Sequence, residues 1–221
     1  MCGIALLVGE HEAWPGLEQV ALSKGAYTLS GTYTSSSDVY GYVNLAVGVL
    51  SLRGNDVPQP LTHSHMPGCY LAWNGEIFEC DAALEHELSG KNVGVVLMDN
   101  IARAVTEMSG DIAKAIVQTL ARIEGPYAFV LLDTERHRVF YGRDHLGRRS
   151  LLQSQDSRCL VSAGTALANS TFSFREVDCT YIWEVDTITQ QVQRYERNSR
   201  VRTLLTVCTA SRAQRHARIV R

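Results

Sequence analysis

Met1-Cys2-Gly3-Ile4-Ala5-Leu6-Leu7-Val8 opens the chain, and the fold turns on how these residues are read. Gly3-Ile4-Ala5-Leu6-Leu7-Val8 is an apolar run of the length of a buried strand. Ahead of it stands Cys2, which becomes N-terminal once Met1 is removed, as a small second residue normally permits. One residue then carries a thiol and a free α-amine. A Cys thiol titrates near ~8.5 and an α-amine near ~7.7–8.0, so at neutral pH part of the amine is an unprotonated base. It can take the thiol proton directly or through a water, and the thiolate is the nucleophile. Read more plainly, Cys2 is only the first residue of a core strand, and these residues alone leave both readings open.

Working outward, Glu10–Lys24 places Trp14, Leu17, Val20, Ala21 and Leu22 at roughly helical spacing, which predicts a helix. Leu29–Asp38 is rich in Ser, Thr and Gly and reads as a loop. Val39–Leu52 alternates in part and predicts one or two strands. Arg53–Gly68, broken by Pro58, Pro60 and Pro67, reads mostly as loop. Cys69–Trp73 predicts a short strand ending in an Asn74-Gly75 turn. Glu79–Gly90 is weakly helical. Asp99–Met108 and Ile112–Ile123 predict amphipathic helices, with Asp99 and Asp111 as N-caps. Tyr127–Asp133 with Arg138–Tyr141, Ser150–Ser154 with Arg158–Ser162, and Tyr181–Asp186 with Gln190–Tyr195 predict three hairpins. Strands group with strands and helices with helices, which argues an α+β fold with antiparallel sheets.

The chain has 221 residues and a formal net charge of −2, a balance that argues against nucleic-acid binding by charge. Its Arg residues crowd beyond Arg194 into a basic tail. The six Cys form no C-x-x-C pair and suggest neither a disulfide framework nor a zinc site. No secretory leader and no bilayer-spanning segment is evident, so a cytoplasmic, reducing location without membrane contact is expected.

Several residues invite chemical roles. A tight Asn74-Gly75-Glu76 turn can aim a side-chain amide and a backbone N–H at one point, as a tetrahedral oxyanion needs, or it can be a plain hairpin turn. Arg53, before Gly54, suits bidentate capture of a carboxylate, or is a surface Arg. Asp99 can bind an ammonium, cap a helix, or do both. Gly142–Arg149 reads as a salt-bridged structural connector. His63 and His65 lack a third ligand, and no metal is expected.

Cys2-Gly3-Ile4, Leu52-Arg53-Gly54, Gln59-Pro60-Leu61, Trp73-Asn74-Gly75-Glu76-Ile77-Phe78, Asp99, Gly125-Pro126-Tyr127-Ala128-Phe129 and the 143–149 connector come in one order. Over roughly Met1–Glu196, that series resembles the class II glutamine amidotransferases. It is similar to the glutaminase domain of glutamine-dependent asparagine synthetases, and 142–152 most of all to asparagine synthetase domain-containing proteins. The resemblance implies an N-terminal-nucleophile (Ntn) fold, a four-layer αββα sandwich with two antiparallel sheets. It implies catalysis by Cys2, with Asn74 and Gly75 holding the oxyanion. It implies that Arg53 binds the α-carboxylate of glutamine, and Asp99 its α-ammonium, helped by groups near Gly75 and Glu76. On this resemblance, ammonia leaves for asparagine biosynthesis, a γ-glutamyl thioester remains on Cys2, and water releases glutamate.

This chemistry implies no cofactor for glutamine hydrolysis. ATP and Mg²⁺ belong to a synthetase domain, whose Ser-Gly-Gly-x-Asp-Ser loop does not occur here. Gly54-Asn55-Asp56 stands where the family has a bulkier residue and a short strand. The expected organisation is a glutaminase domain over 2–196 and a basic tail over 197–221, a docking segment or a truncated junction to that synthetase domain. Two other readings stand beside it. One is a catalytically silent glutamine-binding or protein-interaction module of the same fold. The other is an amidotransferase donating ammonia to a sugar or nucleotide precursor.

Overall fold

Ile4, Leu6 and Val8 alternate along the first strand and bury completely or nearly so, which sets the first strand into a packed core. A computed structural model describes residues 3–9, 28–37, 41–49, 57–162 and 173–197. The first strand, β1 (Gly3–Gly9), is followed by β2 (Thr28–Ser37), β3 (Gly41–Val49), β4 (Leu61–His63), β5 (Met66–Gly75) and β6 (Glu79–Cys80). Three helices come next: α1 (Ala82–Leu88), α2 (Val93–Glu107) and α3 (Ile112–Leu120). Strands β7 (Ile123–Glu124), β8 (Tyr127–Asp133), β9 (Arg138–Arg143), β10 (Leu152–Ser154) and β11 (Cys159–Val161) follow. Strands β12 (Phe174–Glu176), β13 (Tyr181–Asp186) and β14 (Val192–Glu196) complete the described chain.

The strands form two six-stranded sheets, ordered β12-β10-β11-β1-β3-β2 and β14-β13-β9-β8-β5-β4, with β6-β7 as a small ribbon. Every described strand pairing is antiparallel. One apolar cluster joins Ile4, Leu6, Leu45 and Val47 of the first sheet to Ala72, Ala128, Val130 and Leu132 of the second, so the sheets pack face to face. A second cluster joins Leu71, Trp73, Phe129 and Leu131 to Leu84, Leu97, Ile101 and Ile116, so the helices cover the outer face of the second sheet. Successive residues of β5 therefore serve opposite cores, Ala72 between the sheets and Trp73 under the helices.

Several elements differ from the sequence reading. Of the expected loop Leu29–Asp38, all but Asp38, which is outside the described residues, lies in strand β2, which pairs with β3 from Thr28↔Val49 to Ser37↔Gly41. Thr-rich sequence suits a strand, and as an edge strand β2 forms its ladder with one neighbour. Asn74-Gly75 is not a turn but the end of β5, paired with Ala128 and Tyr127. The second helix begins at Val93 rather than Asp99. Asn92 is its N-cap, with Oδ1 accepting from the N–H groups of Gly94 and Val95 at 2.9 and 3.4 Å, and Asp99 lies inside the helix. Asp111 does cap α3, accepting from Lys114 N–H at 2.9 Å. The expected loop over Arg53–Gly68 contains β4 and the start of β5. The helix expected over Glu10–Lys24 lies outside the described residues. The three expected hairpins are present, and β12 is a further strand that the sequence pattern does not predict.

Candidate active site

Strand β5 carries the Asn74-Gly75 pair to the end of the second sheet. Ala72 faces the first sheet, so the two-residue period puts Asn74 on that same inward face, where it is 3% exposed. Gly75 is there for space. A Cβ at this position would lie 2.4 Å from Tyr127 Cβ and 2.7 Å from the Pro126 carbonyl oxygen. Gly125 makes the same approach from the other side, since its Cβ would lie 2.0 Å from the Glu76 carbonyl oxygen. The two segments close with hydrogen bonds from Glu76 N–H to Pro126 O at 3.0 Å and from Phe78 N–H to Glu124 O at 2.8 Å. Glu76 itself is half-buried.

The strand end is clamped by its neighbours. Trp73 stacks on Tyr127 with ring centroids 4.9 Å apart, and its indole N–H donates to the Gly75 carbonyl at 3.2 Å. Gln59 grips the Trp73 backbone. Its Oε1 accepts from Trp73 N–H at 2.7 Å and its Nε2 donates to Trp73 O at 3.0 Å. This buried amide continues the ladder beyond the Leu61↔Leu71 pair of β4 and β5. On the helix side, Gly94 lets α2 come close, because a Cβ there would meet Leu61 Cδ1 at 2.7 Å and Trp73 Cβ at 3.6 Å.

The strand that leads out of Cys2 is held equally firmly. Ile4 N–H donates to Ser162 Oγ at 2.8 Å, Ser162 N–H donates to Ile4 O at 2.8 Å, and Gly3 pairs with Gly48. Ser162 is fully buried, and its carbonyl accepts from Ser150 Oγ at 2.5 Å. Cys2 and Arg53 themselves lie outside the described residues. Asp99, on α2, is about half exposed, and its Oδ1 lies 3.5 Å from His63 Nε2.

The 142–149 connector is the structural element its charges suggested. Asp144 is fully buried. It accepts from the N–H groups of Tyr127, Leu146 and Arg148 at 3.2, 3.1 and 2.9 Å, and from Arg148 Nε at 2.9 Å. Burial works against its charge, but the Arg148 guanidinium and these amides outweigh it and hold its carboxyl below the usual range. Arg143, 4% exposed, donates to the carbonyls of Gly147, Arg149 and Val177 and to Glu176. Because Asp144 binds Tyr127 N–H, this connector fixes the strand that faces Gly75.

Among the described residues, no group of three or more His, Cys, Asp or Glu is placed to hold a metal. No described helix is long and apolar enough to cross a membrane. Two residues that position the site carry only modest sequence signals. Gln59 sits beside a Pro in a supposed loop, and Asn92 directly precedes the apolar run of α2.

Residues 46–168 match the family described as glutamine amidotransferase domain. Asparagine synthetase domain-containing protein 1 of Mus musculus is 30% identical over 150 residues, covering 66% of this chain and 22% of its own length. The Homo sapiens protein of that name is 29% identical over 194 residues, covering 84% and 28%. The glutamine-hydrolysing asparagine synthetase of Homo sapiens is 29% identical over 160 residues, covering 70% and 26%. The chain thus spans about a quarter of the length of these relatives. Glutamine phosphoribosylpyrophosphate amidotransferase from B. subtilis superposes with a TM-score of 0.64 at 18% identity, over 88% of this chain and 49% of that one. Its likeness identifies the paired antiparallel sheets as the N-terminal-nucleophile sandwich. With that fold, and a family match running from β3 through the Asn74-Gly75 strand end and the Asp144 connector to beyond Ser162, the chain belongs to the class II glutamine amidotransferase domains.

Proposed function

We propose that this chain is a glutaminase that releases ammonia from L-glutamine through Cys2, for asparagine biosynthesis. The observation that carries the reading is the placement of Asn74, buried at the end of β5 on the face turned toward the sheet that begins with Gly3. The strand that follows Cys2 in sequence sends Ile4 and Leu6 into the same inter-sheet cluster as Ala72, the inward neighbour of Asn74 on β5.

The free α-amine of Cys2 takes the thiol proton, and the thiolate attacks the side-chain carboxamide carbon of glutamine. The carbonyl oxygen becomes an oxyanion, held by the Asn74 amide and the Gly75 N–H. Collapse of this intermediate breaks the C–N bond. The amine returns its proton to the leaving nitrogen, and ammonia departs. A γ-glutamyl thioester remains on Cys2. Water, deprotonated by the same amine, attacks it and releases glutamate and the thiol. Arg53 binds the α-carboxylate of glutamine, and Asp99, with groups near Gly75 and Glu76, its α-ammonium.

No cofactor enters these steps. ATP and Mg²⁺ serve aspartate activation in a synthetase domain, on a longer chain or a partner protein, that receives the ammonia. Residues 2–196 form the glutaminase unit, and 197–221 the junction or docking tail. A reducing, cytoplasmic compartment keeps the thiol active. The test is labelling of the purified chain with an electrophilic glutamine analogue, followed by peptide mass spectrometry. Stoichiometric modification of Cys2, blocked by glutamine, is expected. Labelling elsewhere, or a mature chain that retains Met1, contradicts the reading.

A further inference from the structure

Hydrogen bonds fix which way the backbone of β5 faces at its end. Tyr127, the residue opposite Gly75, turns its polar groups toward Asp144, donating to its carboxylate at 3.2 Å and accepting from its N–H at 2.8 Å. Glu76 N–H points toward the chain of β8 and donates to Pro126 O at 3.0 Å. The N–H and carbonyl of Trp73 point to the opposite edge of β5, where Gln59 takes both. Alternate residues of a strand direct their N–H and C=O groups to alternate edges. Gly75 therefore shares the edge of Trp73. Its N–H and carbonyl turn away from Tyr127, toward the edge that β4 covers at Leu71 and Gln59 covers at Trp73.

On that edge the Gly75 carbonyl is held by the indole of Trp73, whose Nε1–H donates to it at 3.2 Å. With Glu76 N–H on Pro126 O, both polar groups of the Gly75–Glu76 peptide are tied down. The Trp73–Asn74 peptide is held through its carbonyl by Gln59 Nε2 at 3.0 Å. The Asn74–Gly75 peptide, which carries the Gly75 N–H, lies between these two fixed planes. A glycine has the freest backbone torsions of any residue, so the direction of its N–H is easily lost unless its carbonyl is anchored. The anchor is itself rigid, since Trp73 is 4% exposed and its ring stacks on Tyr127 at 4.9 Å.

We propose that Trp73 is a positioning residue for glutamine hydrolysis, whose indole N–H, acting through the Gly75 carbonyl, aims the Gly75 N–H at the oxyanion. This rests on the reading of Gly75 as an oxyanion donor given above. Trp73 packs under the helices, on the face of the sheet opposite the inward face of Ala72 and Asn74, so it orients the donor without touching glutamine. A donor already aimed at the developing charge needs no reorganisation during the reaction, so the effect of the indole falls on the transition state rather than on substrate binding.

The test replaces Trp73 in the full chain with 3-benzothienylalanine by site-specific incorporation. A sulfur then stands in place of the indole N–H, while the ring and its stack on Tyr127 remain. Trp73→Phe is the second variant, and glutamate release by the Met1-processed proteins is measured at varied glutamine. Both replacements are expected to lower kcat about tenfold, less than the ~10²–10³ for a donor lost outright, with KM little changed. The isostere is expected to keep the thermal midpoint of the unmodified chain. If Trp73 served packing alone, the isostere would restore full kcat. That result, or a loss that appears in KM rather than kcat, overturns the proposal and leaves the glutaminase reading standing. Absence of turnover in the unmodified chain overturns that reading, and the proposal with it.

Discussion

Gln59 holds the Trp73 backbone at both its polar groups, accepting from its N–H at 2.7 Å and donating to its carbonyl at 3.0 Å. One side-chain amide thereby stands in for a strand neighbour at the residue before Asn74. Gln59→Ala leaves a buried N–H and a buried carbonyl without these partners, at a cost of about 1–3 kcal/mol for each group not reached by water. Gln59→Glu keeps the acceptor but sets a buried carboxylate oxygen against the Trp73 carbonyl, so at neutral pH it should destabilise at least as much as Gln59→Ala. Urea unfolding of the three proteins measures this, and an unchanged midpoint in Gln59→Ala would show that the clamp carries no stability.

The roles given to Asn74 and Arg53 separate in steady-state kinetics. Asn74→Ala removes the proposed oxyanion donor and should lower kcat about 10²–10³-fold with a smaller change in KM. Arg53→Ala removes the proposed partner of the α-carboxylate and should chiefly raise KM. Equal behaviour of the two variants in a glutamate-release assay would contradict the assignment.

Acid should loosen the helical layer through Asp81. The bidentate hydrogen bond from Arg122 lowers its carboxyl from 3.8 to about 2, and the Leu84 N–H that it caps adds to this. A depressed folded-state value contributes stability that is fully present above the unfolded value of about 3.9 and is lost as pH falls toward the folded one. Arg122 also donates to Asn100 at 2.7 Å, and Asn100 to Glu87 at 2.8 Å, so the pair ties α1 to α2 and to the end of α3. Urea midpoints for the unmodified chain should drop between about pH 4 and pH 2 more steeply than for Asp81→Asn. Parallel curves would remove Asp81 from the acid response.

The strongly patterned elements were legible in the sequence. Tyr127–Asp133 and Arg138–Arg143 are apolar runs around a polar turn, and Asp111 is a capping residue before a helical period. What hid the rest was competition between local signals and tertiary context. Asn74-Gly75 has the composition of a turn, but its glycine is required by the approach of Tyr127 and Pro126 rather than by a left-handed backbone. Asp99 resembles a cap more than Asn92 does, yet the apolar face of α2 already includes Val96, Leu97 and Met98, which carries the helix start back to Val93. Strand β2 gains its order from pairing with β3, which no window of its own sequence can show. Of the site, Asn74, Gly75, Glu76 and Asp99 have described positions, whereas the clamp by Gln59 exists only once the chain is folded.

The central claim is that an N-terminal Cys2 hydrolyses glutamine, and the direct measurement is glutamate and ammonia formation by the purified, Met1-processed chain, set against Cys2→Ala. The account predicts equal amounts of glutamate and ammonia from the unmodified chain. It predicts neither from Cys2→Ala, with the fold kept, because only the thiol is lost. Turnover that survives in Cys2→Ala, or a processed and folded chain that releases no ammonia from glutamine alone or with a candidate synthetase partner, would contradict it.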